Sequence, residues 1–191
     1  MNIHTETKHA VEQNTVRPSQ LIGRSPAARL ALFLTAGLFL AVPCIKAETN
    51  LAQADKGFIL AAAQGGMTEV KLGELAAQKG MRDDVKEFGQ MMVKDHTAIN
   101  DNLKSLAAQK GVTLPDSLDA KHQGMVDKMA ALTGPAFDDA YIADMIKAHK
   151  NDAKAFKAES AATQDADIKS FLDKSIPVVD GHLQRITAMK K

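Results

Sequence analysis

The sequence contains no tryptophan, one tyrosine and one cysteine in 191 residues. So few aromatic residues disfavour a β-sheet protein, because aromatic and β-branched side chains are enriched in strands. Alanine, leucine, methionine and lysine are abundant instead, and these residues favour helices. A single cysteine excludes an intramolecular disulfide, so the fold must be held by its core alone.

The N-terminal quarter of the chain has the pattern of a secretory signal. Three arginines precede a 16-residue apolar run, residues 30–45, which is followed by Lys46-Ala47. This arrangement predicts a signal peptide over residues 1–47, with cleavage after Ala47. The run is shorter than the roughly 20 residues that a membrane-spanning helix needs, so we expect no stable membrane span after cleavage. Pro43 stands before Cys44 where a lipid-attachment motif would have a small residue, which argues against a lipoprotein.

Cleavage at this point would leave residues 48–191 as a single exported domain, periplasmic or secreted. The signal carries five of the Lys/Arg residues and two of the Asp/Glu residues, so its removal changes the net charge from +1 to −2. A charge so close to zero provides no strong attraction for nucleic acid. We therefore predict no nucleic-acid partner, and the loss of Cys44 leaves no thiol for catalysis.

Apolar residues recur at spacings of three and four from Asp55 to the end of the chain, which is the periodicity of amphipathic helices. The pattern predicts helices over 55–79, 83–110, 117–132, 136–163 and 165–189. Two tightly joined pairs of long helices with a short helix between them predict an all-α four-helix bundle with one long crossover. The first two helices end at Gly80 and Gly111, for which we expect the left-handed conformation.

Three histidines lie on the apolar stripes of three different long helices. His96, His149 and His182 are each spaced by three, four or seven residues from apolar neighbours, and Glu69 has the same position in the first helix. A rise of about 1.5 Å per residue puts all four near the middle of their helices. We therefore expect them to meet at one level of the bundle core.

Four buried polar groups at one level must bond to each other, hold water or bind a ligand. Imidazole and carboxylate are ligands of zinc, iron and copper. Asp152 follows His149 by three residues on nearly the same face and is the best further oxygen ligand. The sequence thus predicts a transition-metal site, with zinc, iron or copper held by Glu69, His96, His149, Asp152 and His182. The alternative is a structural network of buried polar groups that binds nothing.

Several other features bear on this prediction. Asp95 and Asp180 adjoin two of the histidines but point away from them, so they are at most outer partners. We expect His122 to be solvated and the methionines to fill the core rather than bind copper. Gly65-Gly66 is unusual inside a helix and either permits close helix approach or leaves room beside the site. We find no phosphate-binding loop, nucleophile motif or additional acid–base motif, and this favours a binding protein over an enzyme.

The chain resembles a bacterial exported family known as domain of unknown function 4142. The resemblance covers residues 58–186, and the segments that carry it are Phe58–Ala63, Glu69–Gly73, Phe88–His96, Phe137–Tyr141, His149 and Pro177–Leu183. It implies a ferritin-like bundle, in agreement with the predicted topology. Di-iron proteins of that class carry Glu-x-x-His motifs, but Val93, Ile146 and Val179 stand where those glutamates would be. We therefore expect a histidine-rich mononuclear site in a binding or storage role, or else a metal-free envelope stress or interaction protein.

Overall fold

The computed structural model describes residues 51–190, and the predicted signal peptide lies outside this range. The described chain forms five helices and no strand: α1 Gln53–Lys79, α2 Asp83–Gln109, α3 Ala120–Ala130, α4 Gly134–Ala162 and α5 Ala166–Ala188. None of these helices is both long enough and apolar enough to cross a membrane. The prediction of an all-α, ferritin-like four-helix bundle with a short helix in the crossover is confirmed.

The four long helices pack as two antiparallel pairs. Helix α1 packs mainly on α2, and α4 packs mainly on α5, while α2 also contacts α5 and α1 also contacts α4. The crossover from α2 to α4 passes diagonally over the bundle, and α3 within it packs on α1 and α4. This arrangement brings the midpoints of all four long helices around one central axis.

Most helix ends lie within one to three residues of the prediction, and two differences have a clear physical cause. Gly111 has the expected positive φ of 67°, but Gly80 has a φ of −54°. Gly80 is required for space instead, because a Cβ there would lie 2.7 Å from the carbonyl oxygen of Ala76. Helix α3 begins at Ala120 rather than at residue 117, because the Asp119 carboxylate accepts a hydrogen bond from the backbone N–H of His122 and caps the helix there.

Glycines bring α1 and α2 into unusually close contact. A Cβ at Gly73 would lie 2.9 Å from the carbonyl oxygen of Gly89, and a Cβ at Gly66 would lie 2.0 Å from Oδ1 of Asn100. Gly66 and Gly73 flank Glu69 by about one helical turn on either side. Close approach of the two backbones therefore carries Glu69 toward the facing helix, where His96 lies.

The core consists of two apolar clusters with a gap between them. One cluster contains Leu72, Phe88, Tyr141 and Ile186, and the other contains Ile59, Leu103, Phe156 and Val179, with further members in each. On every long helix, the residues between the two clusters include polar side chains that belong to neither. The predicted site residues all fall in this gap.

Candidate metal centre

A layer of polar side chains, four of them buried and Asp152 half-buried, separates the two apolar clusters. We call it the polar layer, and it consists of Glu69, His96, His149, Asp152 and His182. The side chain of His149 is fully buried, His96 and His182 are 3% exposed, and Glu69 is 7% exposed. Each long helix contributes at least one member, so the convergence predicted from helix phase and depth is correct.

The three imidazole rings form a compact triangle. Ring centroids are 5.2 Å apart for His96 and His182, 5.4 Å for His149 and His182, and 5.7 Å for His96 and His149. One ring nitrogen from each histidine can be chosen so that all three lie within 4.8 Å of one another. Three imidazole nitrogens this close can bind a single metal ion after small side-chain adjustments.

Each imidazole is held through one of its two nitrogens by a different acceptor. His96 Nδ1 lies 3.0 Å from Oε2 of Glu69, and His149 Nδ1 lies 3.0 Å from the backbone carbonyl oxygen of Met145. His182 Nε2 lies 3.0 Å from Oδ2 of Asp95. A carbonyl or carboxylate oxygen can only accept, so the imidazole nitrogen donates in all three bonds.

These three bonds fix the tautomers and leave the other nitrogen of each ring free. Among the described residues, His96 Nε2, His149 Nε2 and His182 Nδ1 are all buried and lack a hydrogen-bond partner. In a neutral imidazole whose first nitrogen donates, the second nitrogen carries a lone pair. Such orientation by an outer acceptor is the usual arrangement of metal-binding histidines.

The electrostatics of the polar layer distinguish His96 from the other two histidines. Burial opposes the charged form of His96, but the Glu69 carboxylate outweighs burial and raises the pKa of this imidazole. Burial lowers the pKa of both His149 and His182, and a positive charge on His96 lowers it further. A proton taken up by the triangle therefore goes to His96, while His149 and His182 stay neutral.

Glu69 and Asp152 form an acidic pair beside the histidines. Burial raises the pKa of Asp152 to about 7, and the negative charge of Glu69 contributes to the rise. Burial acts on Glu69 in the same direction, but the three neighbouring histidines outweigh it and lower the pKa of Glu69. Glu69 is thus the ionised member of the pair, and protonated Asp152 can donate a hydrogen bond to it.

The two predicted carboxylate ligands are therefore close to the histidines, but in different relations to them. Glu69 bonds His96 through Nδ1 and approaches His149 Nδ1 to 3.6 Å with its other oxygen. Asp152 lies against Glu69. Their direct ligation of a metal stays a prediction.

The sequence analysis assigned Asp95 and Asp180 the same possible role, as outer partners of the histidines, but only Asp95 contacts a histidine in the structure. Asp95 crosses from α2 to hydrogen-bond His182 on α5, whereas Asp180 pairs with Lys157 at 2.8 Å on the exposed side. Asp95 does not share the helix face of His96, so the residue spacing gave no sign of its hydrogen bond to a histidine on another helix. Its one signal was its position next to His96.

Tyr141 is a neighbour of the polar layer that sequence reasoning missed. Its side chain is fully buried, its hydroxyl has no partner among the described residues, and its ring packs edge-on to Phe88 at 6.2 Å. Burial raises the pKa of Tyr141, and the charge of Glu69 adds to this effect. The signal in the sequence was its position two helical turns before His149.

An apolar cavity of about 110 Å³ adjoins the polar layer on the side of His96. Its walls include Phe58, Ile99 and Phe156, and its polar boundary is formed by Glu69, His96 and Asp152. Gly65 lines the same cavity, and a Cβ there would have no neighbour within 4 Å. Of the two roles considered for Gly65-Gly66, Gly66 provides close helix approach and Gly65 provides space.

The fold and the buried histidine triangle define this chain as a helical-bundle protein with a candidate metal centre. The family model of the domain of unknown function DUF4142 matches residues 41–189, so the chain belongs to that family. A comparison with curated protein sequences found no match.

The bundle is similar to those of solved structures. A DUF305 fragment from Deinococcus radiodurans superimposes with a TM-score of 0.63 at 10% identity, covering 73% of this chain and 96% of that one. CopM in its Cu(I)-bound form superimposes with a TM-score of 0.59 at 17% identity, covering 71% of this chain and 94% of that one. At these identities the similarity is evidence of a common fold.

Proposed function

We propose that the protein binds one transition-metal ion between His96, His149 and His182. The observation that carries the proposal is the pattern of outer hydrogen bonds, which leaves one buried lone pair on each ring. Buried polar atoms without partners destabilise a folded protein, and a metal ion would satisfy all three at once. We assign the ligand atoms as Nε2 of His96, Nε2 of His149 and Nδ1 of His182.

In this proposal the acidic residues act mainly behind the imidazoles. Glu69 and Asp95 orient His96 and His182, and their negative charge compensates that of a bound cation. The Met145 carbonyl oxygen has the same orienting role for His149. Asp152 is the nearest further carboxylate and becomes an additional oxygen ligand only if it displaces the contact with Glu69.

Copper is the first ion to test, followed by zinc and iron. Imidazole suits all three metals, and the similarity in fold to CopM, solved with Cu(I), supports copper first. The predicted signal peptide supports a place in the cell envelope, where we propose a binding or storage role. We propose no reaction for the site.

Elemental analysis of the domain, expressed with its own signal and purified without chelators, tests this proposal. We expect one ion per chain, or one equivalent taken up when Cu(I), Zn²⁺ or Fe²⁺ is added to metal-free protein. His149→Gln is expected to abolish stoichiometric binding, while the control Lys150→Gln, at an exposed position next to it on the same helix, retains it. Protein that holds no metal and binds none of the three ions would overturn the proposal.

The second candidate is a metal-free bundle in which the histidines are a structural network. It is favoured by the His96–Glu69 and His182–Asp95 bonds, which already satisfy part of the polar layer. Under this proposal His96→Leu would alter the free energy of unfolding and leave interactions with envelope partners intact. The three unpartnered ring nitrogens favour metal binding over this candidate.

A further inference from the structure

A surface groove between α1, α3 and α4 leads to the polar layer from outside. We call it the α3 groove. It is lined by His122 and Met125 of α3 and by Asp144 of α4, and it reaches Glu69 and Asp152 of the polar layer. Glu69, Asp152 and Gly65 also line the cavity beside His96. The groove and the cavity beside His96 therefore share three lining residues, two of which belong to the polar layer.

His122, which lines this groove, is held through one ring nitrogen by an acceptor, as each of the three buried histidines is. Its Nδ1 lies 2.8 Å from Oδ1 of Asp119, which also accepts the backbone N–H of His122. With Nδ1 donating to the carboxylate, Nε2 carries the lone pair. The prediction of a solvated His122 is therefore incomplete, because this side chain is only 20% exposed and has a fixed partner.

Met125 follows His122 by three residues, so the two side chains share one face of α3. It is 40% exposed and one of two large apolar side chains that are exposed among residues 51–190, the other being Met81. Core packing, which accounts for the buried methionines, does not account for Met125. Thioether sulfur and imidazole nitrogen together suit Cu(I).

Two carboxylates that line the groove, those of Glu69 and Asp152, belong to the polar layer. Oε1 of Glu69 is buried, and Asp152 lies against Glu69. The other oxygen of Glu69 contacts His96. Gly65 lines both the groove and the cavity, and a Cβ at this position would meet no atom within 4 Å.

From this arrangement we infer that the α3 groove is the uptake site for Cu(I). The ion binds first to Nε2 of His122 and Sδ of Met125, passes between Glu69 and Asp152, and is then held by the buried histidines. The transfer is ligand exchange without a change of oxidation state. This inference rests on the proposed function, because it needs a copper site at the end of the route.

The rate of copper uptake tests the inference. Metal-free protein is mixed with the Cu(I) complex of bicinchoninate in a stopped-flow instrument, and the loss of the complex is followed by absorbance. For the double variant His122→Gln/Met125→Leu, we expect uptake to slow about tenfold, equivalent to ~1.4 kcal/mol of activation free energy. The equilibrium affinity is expected to stay within about twofold, so release slows by the same factor.

Two matched controls keep the test specific. Met81→Leu changes the other exposed methionine, which lies outside the groove, and should leave the uptake rate unchanged. Gly65→Leu should narrow the passage and slow uptake, whereas Gly57→Leu, at a position on the same helix that is equally open, should not. Circular dichroism of each variant establishes that the bundle is intact.

The outcomes separate the two proposals. Stoichiometric Cu(I) binding with equal uptake rates in all variants would overturn the uptake site and leave the histidine centre standing. Binding of Zn²⁺ or Fe²⁺ without Cu(I) would likewise overturn the uptake site alone. Failure to bind any of the three ions would overturn both.

Discussion

His182 on α5 donates its Nε2–H to Asp95 on α2 across 3.0 Å. The bond joins two helices of different pairs and leaves Nδ1 of His182 buried and without a hydrogen-bond partner among residues 51–190. Asp95 therefore determines which nitrogen of His182 is available. In the proposed metal centre it is an orienting residue, in the same relation to His182 as Glu69 is to His96.

Removing this orienting bond should weaken metal binding. For Asp95→Ala, we expect the metal affinity to fall by roughly 10–100-fold, the usual effect of losing an outer partner of a ligand histidine. A competition titration against a chromogenic chelator measures the change. Asp180→Ala is the matched control, because Asp180 adjoins His182 in sequence but pairs with Lys157 at the surface. Equal affinities in the two variants would contradict the orienting role.

Glu69 should control the protonation of His96 in the metal-free protein. The carboxylate raises the pKa of His96 against the effect of burial, so Glu69→Gln should lower it, while the amide oxygen still accepts from Nδ1. An NMR titration of the imidazole protons gives the pKa in both proteins. An unchanged or higher pKa of His96 in the variant would show that the charge of Glu69 is not the cause.

Asp152 should make the metal-free protein less stable at alkaline pH than its amide variant. Burial and Glu69 raise the pKa of Asp152 to about 7 in the folded protein. The protonated side chain therefore stabilises the fold fully at a pH below the pKa of Asp152 in the unfolded chain, and this stabilisation is lost as the pH rises through about 7. We expect Asp152→Asn to exceed the wild type in free energy of unfolding at pH 8 by at least about 1 kcal/mol, the equivalent of roughly one pKa unit. The difference should shrink toward pH 5. Urea unfolding at pH 5 and at pH 8 measures this difference in free energy of unfolding. A difference that grows toward pH 5 would contradict the prediction.

Close contact of α1 and α2 should depend on Gly89. A Cβ there would lie 2.7 Å from the carbonyl oxygen of Gly73 and 2.7 Å from the backbone nitrogen of Ala77. Gly89→Ala should lower the free energy of unfolding by about 1–3 kcal/mol, as overpacking usually does. Gly57→Ala, where the new methyl group meets nothing, should instead raise it by about 0.5–1 kcal/mol. Thermal or urea unfolding distinguishes these opposite signs.

The fold and the meeting of the histidines could be predicted from the sequence because both depend on helix phase and length. His96, His149 and His182 lie on apolar stripes at similar depth. Because these stripes face the core of a four-helix bundle, the three side chains meet at one level. The available nitrogen of each ring could not be predicted, since it depends on bonds to Asp95, Glu69 and the Met145 carbonyl oxygen. These bonds depend on side-chain rotamers and on the contact between particular helices.

The α3 groove could not be predicted from the sequence either. His122 and Met125 lie on a short helix whose docking on α1 and α4 is set by tertiary packing rather than by its own periodicity. Gly80 was misjudged for a related reason, because the spacing of a helix end does not reveal the neighbouring atoms that exclude a Cβ. Local sequence patterns predicted the helices, whereas contacts between helices that are distant in sequence determine the hydrogen bonds of the site.

X-ray absorption spectroscopy of the metal-loaded protein tests the central claim most directly. A centre formed by His96, His149 and His182 predicts a first shell of three nitrogen atoms with the multiple scattering of imidazole, at about 2.0 Å for zinc. The same spectrum should be absent from His149→Gln protein exposed to the same metal. A first shell of sulfur or of oxygen alone, or a spectrum that His149→Gln leaves unchanged, would contradict the account.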